Sequence, residues 1–128
     1  MEININCDLG EKSVHHSNKN DPDLLAIVNS ASVACGYHAG DNETMSEVVQ
    51  ISKKNGVSVG AHPSFKDLEN FGRKRMNLSK IEIEKLIIEQ YEILQRIAEN
   101  HGENVTHIKP HGALNNMACE DFELSKIL

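Results

Sequence analysis

The chain has 128 residues, a formal net charge of −6, 39% hydrophobic and 25% charged residues. That size holds one domain with a modest core, and the balance is that of a globular protein, which excludes a disordered or fibrous chain. Lys and Arg stand in short scattered groups, so no basic stripe is available to neutralise a phosphate backbone, and nucleic acid is not an expected partner.

No apolar run is long enough to cross a bilayer, and "MEININCDLG" lacks the charged start and apolar stretch of a secretory leader. The expectation is a cytoplasmic protein without membrane contact. Cys7, Cys35 and Cys119 form no CxxC pair, which fits reduced thiols. Cys7 and Cys35 read as small core residues.

The first strand is expected over Ile3–Asp8, with Ile3, Ile5 and Cys7 on one face and Asn4, Asn6 and Asp8 on the other. After a polar loop, Asp21 as N-cap and Pro22 at the first helical position predict a short helix through Leu24, Leu25, Ile27 and Val28. A second strand over Ser32–His38 sets Val33, Cys35 and Tyr37 against Ser32, Ala34, Gly36 and His38. Asp41 or Asn42 caps the next helix, whose face carries Met45, Val48, Val49 and Ser52, and Gly56 ends it. The third strand is Val57–His62. Ser79 to Glu82 is a capping box that opens the clearest helix, with Ile83, Leu86, Ile87, Tyr91, Leu94 and Ala98 along one stripe. The stretch "THIKPHGAL" (Thr106 to Leu114) supplies strand four, with His107, Lys109 and His111 pointing one way. Asp121 to Leu128 begins a further helix that shows no cap.

Alternating strands and helices predict an α/β fold with a parallel sheet of right-handed βαβ units. Strands covered on both faces would be apolar throughout, whereas each of these has one small or polar face. A barrel resolves the conflict, with apolar residues toward the helices and polar residues toward the lumen. A complete eightfold barrel takes about 250 residues. Residues 1–128 therefore read as the N-terminal part of a single barrel domain, four βα units long, either truncated or completed by a second chain.

In parallel βα folds the reactive groups gather at the C-terminal ends of strands. Here those ends carry Asn6, Asp8 and Glu11; His38 and Asp41; His62 and Asp67; Lys109 and His111. Singly, Asp8 fits a turn, Asp41 a helix cap and His62 a hydrogen-bonded strand terminus. Lys109 is the hardest to explain structurally, because an interior ammonium must find an anion. His15, His16 and His101 read as solvent-facing, and His107 as a residue packed below the site. Arg73, in the long loop after strand three, could hold a carboxylate bidentately.

Histidines with a carboxylate can bind a divalent metal and activate water, and Asp8, His38 and His62 are one candidate set. The same groups could act without metal as acid and base, with Lys109 stabilising an oxyanion. These residues leave both routes open. No Walker-type phosphate loop is present.

Four motifs, "NCDLGE" (Asn6 to Glu11), "VACGYHAGD" (Val33 to Asp41), "VGAHPSFKDLENFGR" (Val59 to Arg73) and "HIKPHGAL" (His107 to Leu114), in this order and spacing, resemble the LamB/YcsF family, that of the A subunit of bacterial 5-oxoprolinase. The resemblance implies an irregular seven-stranded TIM-type barrel related to the glycoside hydrolase/deacetylase superfamily. It also implies an ATP-dependent opening of the lactam of 5-oxoproline to glutamate, together with subunits B and C. By the matched positions, Asp8, His38, His62, Lys109 and His111 would be catalytic, and Asn6, Glu11, Asp41 and Arg73 would bind substrate. A metal-dependent deacetylase-like amide hydrolase is the second expectation. The third is a non-catalytic half-barrel that pairs with a second copy as a homodimer. The sequence departs from the family pattern at Lys12, where Gly is usual, at Asn115, where Tyr is favoured, and in having only four βα units.

Overall fold

The computed structural model describes residues 3–128. Its elements in chain order are β1 (Asn6–Leu9), α1 (Asp21–Leu25), β2 (Ser30–Ala34), α2 (Asn42–Asn55), β3 (Ser58–His62), α3 (Lys80–Asn100), β4 (Val105–Ile108), α4 (Gly112–Glu120) and α5 (Phe122–Ser125). The strands form one parallel sheet in the order β1-β2-β3-β4. This is an α/β fold, consistent with part of a TIM-type barrel.

The expected two-faced strands are present. Leu9, Ala31, Val33, Val59 and Ala61 pack with Leu25 of α1, Met45, Val48 and Val49 of α2, and Leu94 and Ala98 of α3 in one buried core. Asp41 accepts the Thr44 N–H at the start of α2, and Gly56 ends that helix at φ 68°. The capping box at Ser79 and Glu82 is formed in both directions. A second core joins Ile83, Leu86 and Ile87 of α3 to Phe65, Ala113, Leu114, Ala118 and Leu124. Inside it, Gln90 is fully buried and clamps the backbone of Ser64, accepting its N–H and donating to its carbonyl, both at 2.9 Å.

The opposite face of the sheet is polar and hydrogen-bonded in one direction. Ser32 Oγ donates to Asn6 Oδ1, Asn6 Nδ2 donates to Ser30 Oγ, and Ser30 Oγ donates to Asn4 Oδ1. His107 lies beside Asn6, its ring over Gly60, where a Cβ would sit 2.2 Å from His107 Nε2.

Several expectations need correction. The first strand begins at Asn6, because the Ile5 carbonyl and amide bond Asn29 and Ser30 outside the ladder, and Ile3 and Ile5 are 70% and 50% exposed. Asp21 does not cap α1. Its buried carboxylate accepts the Gly10 N–H at 2.8 Å, and Asn20 takes the N-cap position without a side-chain bond. The second strand ends at Ala34, so Cys35 to His38 belong to a loop turned by Gly36 and Gly40 at positive φ. The fourth strand spans only Val105–Ile108, and "HGAL" opens α4, an unexpected helix whose apolar side fills the second core. The last helix is the single turn α5, and Asp121 does cap it, accepting from Glu123 N and Leu124 N. The cysteines are free: Cys35 is buried, Cys7 partly buried and Cys119 exposed.

Replacing Gln90 with Leu fills the same space but leaves the two backbone groups of Ser64 without partners. Unfolding in urea should then show a loss of about 2–4 kcal/mol, and a loss below about 0.5 kcal/mol would mean that the clamp contributes nothing.

Candidate active site

Asp8 is delivered by the strand itself, on the polar face two residues beyond Asn6 and in register with Ser32. Glu11 follows the turn at Gly10, which has φ 71°. His62 is the last residue of β3, His38 comes from the glycine-bounded loop after β2, and His111 is the N-cap residue of α4. Lys109 stands just past β4, its amide still bonded to the Ala61 carbonyl.

These groups meet. One Glu11 oxygen, Oε1, lies 2.9 Å from His38 Nε2, 3.6 Å from His62 Nε2 and 3.5 Å from His111 Nδ1. His111 Nδ1 and His62 Nε2 are 3.0 Å apart. The rings of His38 and His111 stack at 3.8 Å, and His62 meets both edge-on. Asp8 stands beside this group rather than within it. Its Oδ1 accepts from Lys109 Nζ at 2.6 Å, and its Oδ2 is 3.5 Å from His62 Nε2. The three imidazoles are almost fully enclosed, whereas the Asp8–Lys109 pair is partly open to solvent.

Backbone carbonyls fix two of the rings. His62 Nδ1 is 2.6 Å from the Lys109 carbonyl and His111 Nε2 is 2.8 Å from the Phe71 carbonyl. A carbonyl only accepts, so both of those nitrogens carry the hydrogen. The facing nitrogens, His62 Nε2 and His111 Nδ1, therefore present lone pairs to each other and to Glu11 whenever the rings are neutral. Burial keeps them neutral. It lowers the pKa of His62, with Asp8 opposing, and brings that of His111 down to about 4, helped by the neighbouring His38. Burial alone would raise the Glu11 carboxyl, but the hydrogen bond from His38 brings it below its ordinary value. His38 donates Nε2–H to Glu11, and its buried Nδ1 finds no partner among the described residues.

Such a set of inward lone pairs, one carboxylate and one orphaned nitrogen is chemically suited to a divalent cation. The donors grouped here are His38 and His62 of the expected set together with Glu11 and His111, and Asp8 lies beside them, 3.5 Å from His62 Nε2. Sequence reasoning had Glu11 as a substrate contact and gave no role to Phe71. Phe71 is the one non-glycine residue at positive φ among the described residues, at 55°, a conformation that costs on the order of 1–3 kcal/mol. Its carbonyl holds His111, and its ring packs edge-on against His38 and His111. Next to it, Gly72 accepts the Ala113 N–H, tying this loop to α4.

Other expected residues lie outside the cluster. Asp41 caps α2 and is 3.9 Å from Lys12, Asn6 is held in the polar network of the sheet, and the exposed Arg73 places its guanidinium 5.4 Å from the Phe71 ring. Asp67 is buried within its own loop, accepting from Asn70 and Lys74. His15 and His16 are exposed, although His16 stacks on Phe71 at 4.4 Å. His101 is the half-buried C-cap of α3, 2.7 Å from Ser46 Oγ.

The tightness of the loop is measurable with two glycines of similar φ. A Cβ on Gly56 would meet nothing within 4 Å, whereas one on Gly72 would lie 2.1 Å from Ser64 Oγ and 2.9 Å from His38 Cβ. Gly56→Ala should cost about 1 kcal/mol, the price of the backbone conformation alone, and Gly72→Ala at least twice that. Equal losses in urea denaturation would show that the loop has room to give.

The chain is 48% identical over 122 residues to the A subunit of a 5-oxoprolinase from Nitrobacter hamburgensis, covering 94% of this chain and 48% of that protein. It is 41% identical over all 128 residues to the counterpart from Staphylococcus aureus strain Newman, covering 51% of that relative. A crystal structure of a lactam utilization protein from Thermus thermophilus superposes on 99% of this chain and 51% of that one, with TM-score 0.93 and 38% identity. The chain thus spans about half the length of the curated relatives it matches. The model of the LamB/YcsF family matches residues 3–128, so the chain belongs to the LamB/YcsF family.

Proposed function

We propose that this chain forms part of the A subunit of a 5-oxoprolinase and takes part in hydrolysing the lactam of 5-oxoproline to L-glutamate, with ATP and the further subunits B and C. One observation carries the reading. The Asp8–Lys109 pair, Glu11 and three histidines converge at the strand ends of a chain 40–48% identical to proteins named as the A subunit of 5-oxoprolinase. Residues 1–128 are then the N-terminal part of a single irregular seven-stranded barrel of the glycoside hydrolase/deacetylase kind. In support, among the described residues β1 and β4 each pair on one side only, and Ile5 at the β1 margin is half exposed. Further βα units, in the same polypeptide or a second chain, would cover those margins; two copies closing one barrel is the other arrangement that would do so. The setting is cytoplasmic, in keeping with the finding that no helix among the described residues is long and apolar enough to cross a membrane.

Opening the lactam adds hydroxyl to the carbonyl carbon and hydrogen to the ring nitrogen as the C–N bond breaks. Lys109, the partly exposed cation of the site, receives the substrate carboxylate or the developing oxyanion. Asp8 touches both Lys109 and His62 and is placed to take the proton of the attacking water. Asp8, once it holds that proton, returns it to the leaving nitrogen, and the buried neutral imidazoles exclude bulk water from the reacting carbon. A divalent cation at the imidazole and Glu11 donors would supply a water of lowered pKa and polarise the carbonyl. A five-membered lactam is a stable amide, which makes coupling to ATP chemically reasonable. The same donor set favours one alternative, a deacetylase-like hydrolase of acetylated sugars or small amides that works without ATP.

Combined with subunits B and C of a LamB/YcsF-bearing bacterium, ATP and 5-oxoproline, the chain should release glutamate, and Lys109→Met should slow that release at least about 100-fold. No release, in a mixture where a full-length relative is active, sinks the reading for this polypeptide. Acetate released from an acetylated oligosaccharide without ATP would favour the alternative.

A further inference from the structure

The donors around Glu11 have the spacing of a coordination shell. Four of the separations among them are 2.9, 3.0, 3.5 and 3.6 Å, and all four ligand atoms lie within 4.8 Å of one another. Zinc-type bonds of about 2.0–2.2 Å to nitrogen and oxygen put tetrahedral donors about 3.3–3.6 Å apart. Two of the three imidazoles also have the outer-shell partner that metal-bound histidines need, a backbone carbonyl on the far nitrogen. The third, His38, donates its Nε2 hydrogen to Glu11 and has a buried Nδ1 without a partner, so a cation taking the Nε2 lone pair would move that hydrogen to Nδ1.

Asp8 has a different allegiance. One of its oxygens is engaged by Lys109 at 2.6 Å, and the other approaches only His62. Three nitrogens with a single carboxylate suit zinc, cobalt, nickel or iron, whereas magnesium and calcium seek oxygen.

We propose that Glu11, His38, His62 and His111 bind one imidazole-preferring divalent transition metal, and that Asp8 stands outside its ligand set, held by Lys109. The proposal rests on the hydrolytic reading for its role in the reaction, but its geometry stands apart from turnover. Phe71 is a positioning residue for this site. Its left-handed backbone aims its carbonyl at His111 Nε2 and so turns His111 Nδ1 toward the metal. Gly112, at φ 56°, lets α4 begin against that loop; a Cβ there would lie 2.6 Å from the Gly72 oxygen. His111 is therefore held from both sides by backbone.

Cobalt(II) and zinc(II) are the probes. Chelator-treated chain, titrated with cobalt, should bind one equivalent, develop the visible absorption of a nitrogen-rich site, and lose it when zinc is added. Glu11→Gln and His111→Phe should each weaken binding at least 100-fold, whereas Asp8→Asn should change it less than 10-fold. Phe71→Gly, which keeps the backbone freedom and removes the ring, should bind within 10-fold of the parent, and Gly112→Ala should bind more weakly than that. Because a variant could fail to fold, the unaltered chain provides a second reading. Histidine nitrogen NMR of the metal-free form should show hydrogen on His62 Nδ1 and His111 Nε2, and zinc should shift His62 Nε2 and His111 Nδ1. Absence of saturable binding at micromolar metal, or loss of binding in Asp8→Asn with retention in Glu11→Gln, overturns the proposal. Binding without any lactam turnover leaves the site standing and removes the hydrolase reading; turnover by protein that binds no metal does the reverse.

Discussion

Everything at this site depends on one constraint, the sealing of a single face of a parallel sheet by helices. Leu9, Val33, Val59 and Ala61 leave water only by packing on α2 and α3. Because side chains alternate along a strand, that packing commits Asn6, Asp8, Ser30 and Ser32 to the opposite face, and a register shift between β3 and β4 at Val59/Gly60 turns His107 to the same side although Val105 packs on the core. The parallel ladder, with one register shift between β3 and β4, then brings the C-terminal ends of the four strands together, where the following loops meet. The polar cluster is the other side of the burial that holds the sheet together.

Much of this was legible in the chain. The helix faces of α2 and α3 follow the 3.6-residue period, and their caps at Asp41 and Ser79 carry the expected side-chain bonds. Strand alternation also placed Asp8 and His62 correctly on the polar side. It does not by itself explain His38 and His111, which lie beyond the strands and reach the cluster through backbone turned at Gly36, Gly40 and Gly112. Alternation says nothing about a side chain once the ladder has ended. The helix α4 escaped notice because Gly112 is a poor helix former and "GALNNMACE" has no capping side chain at its start. Packing of Ala113, Leu114 and Ala118 against α3 overrides that weak propensity.

The part of the site hardest to read from sequence is the part made of backbone. The carbonyls of Phe71 and Lys109 decide which imidazole nitrogens face inward, yet a carbonyl leaves no mark in the residue at which it occurs. The exchange of Glu11 for Asp8 at the centre has the same origin. Both acids sit in one short motif, and only the turn at Gly10 brings Glu11 to the histidines and leaves Asp8 to Lys109.

The unequal burial of the three thiols makes the chain convenient for attaching a reporter. Desolvation pushes Cys35 up to about 12 and raises Cys7 as well, whereas Cys119 projects from the open side of α4. A maleimide dye will accordingly choose Cys119 first. That position lies two helical turns, about 12 Å, from His111 on the same rigid rod, so fluorescence there registers any body that settles beside the imidazoles without touching them.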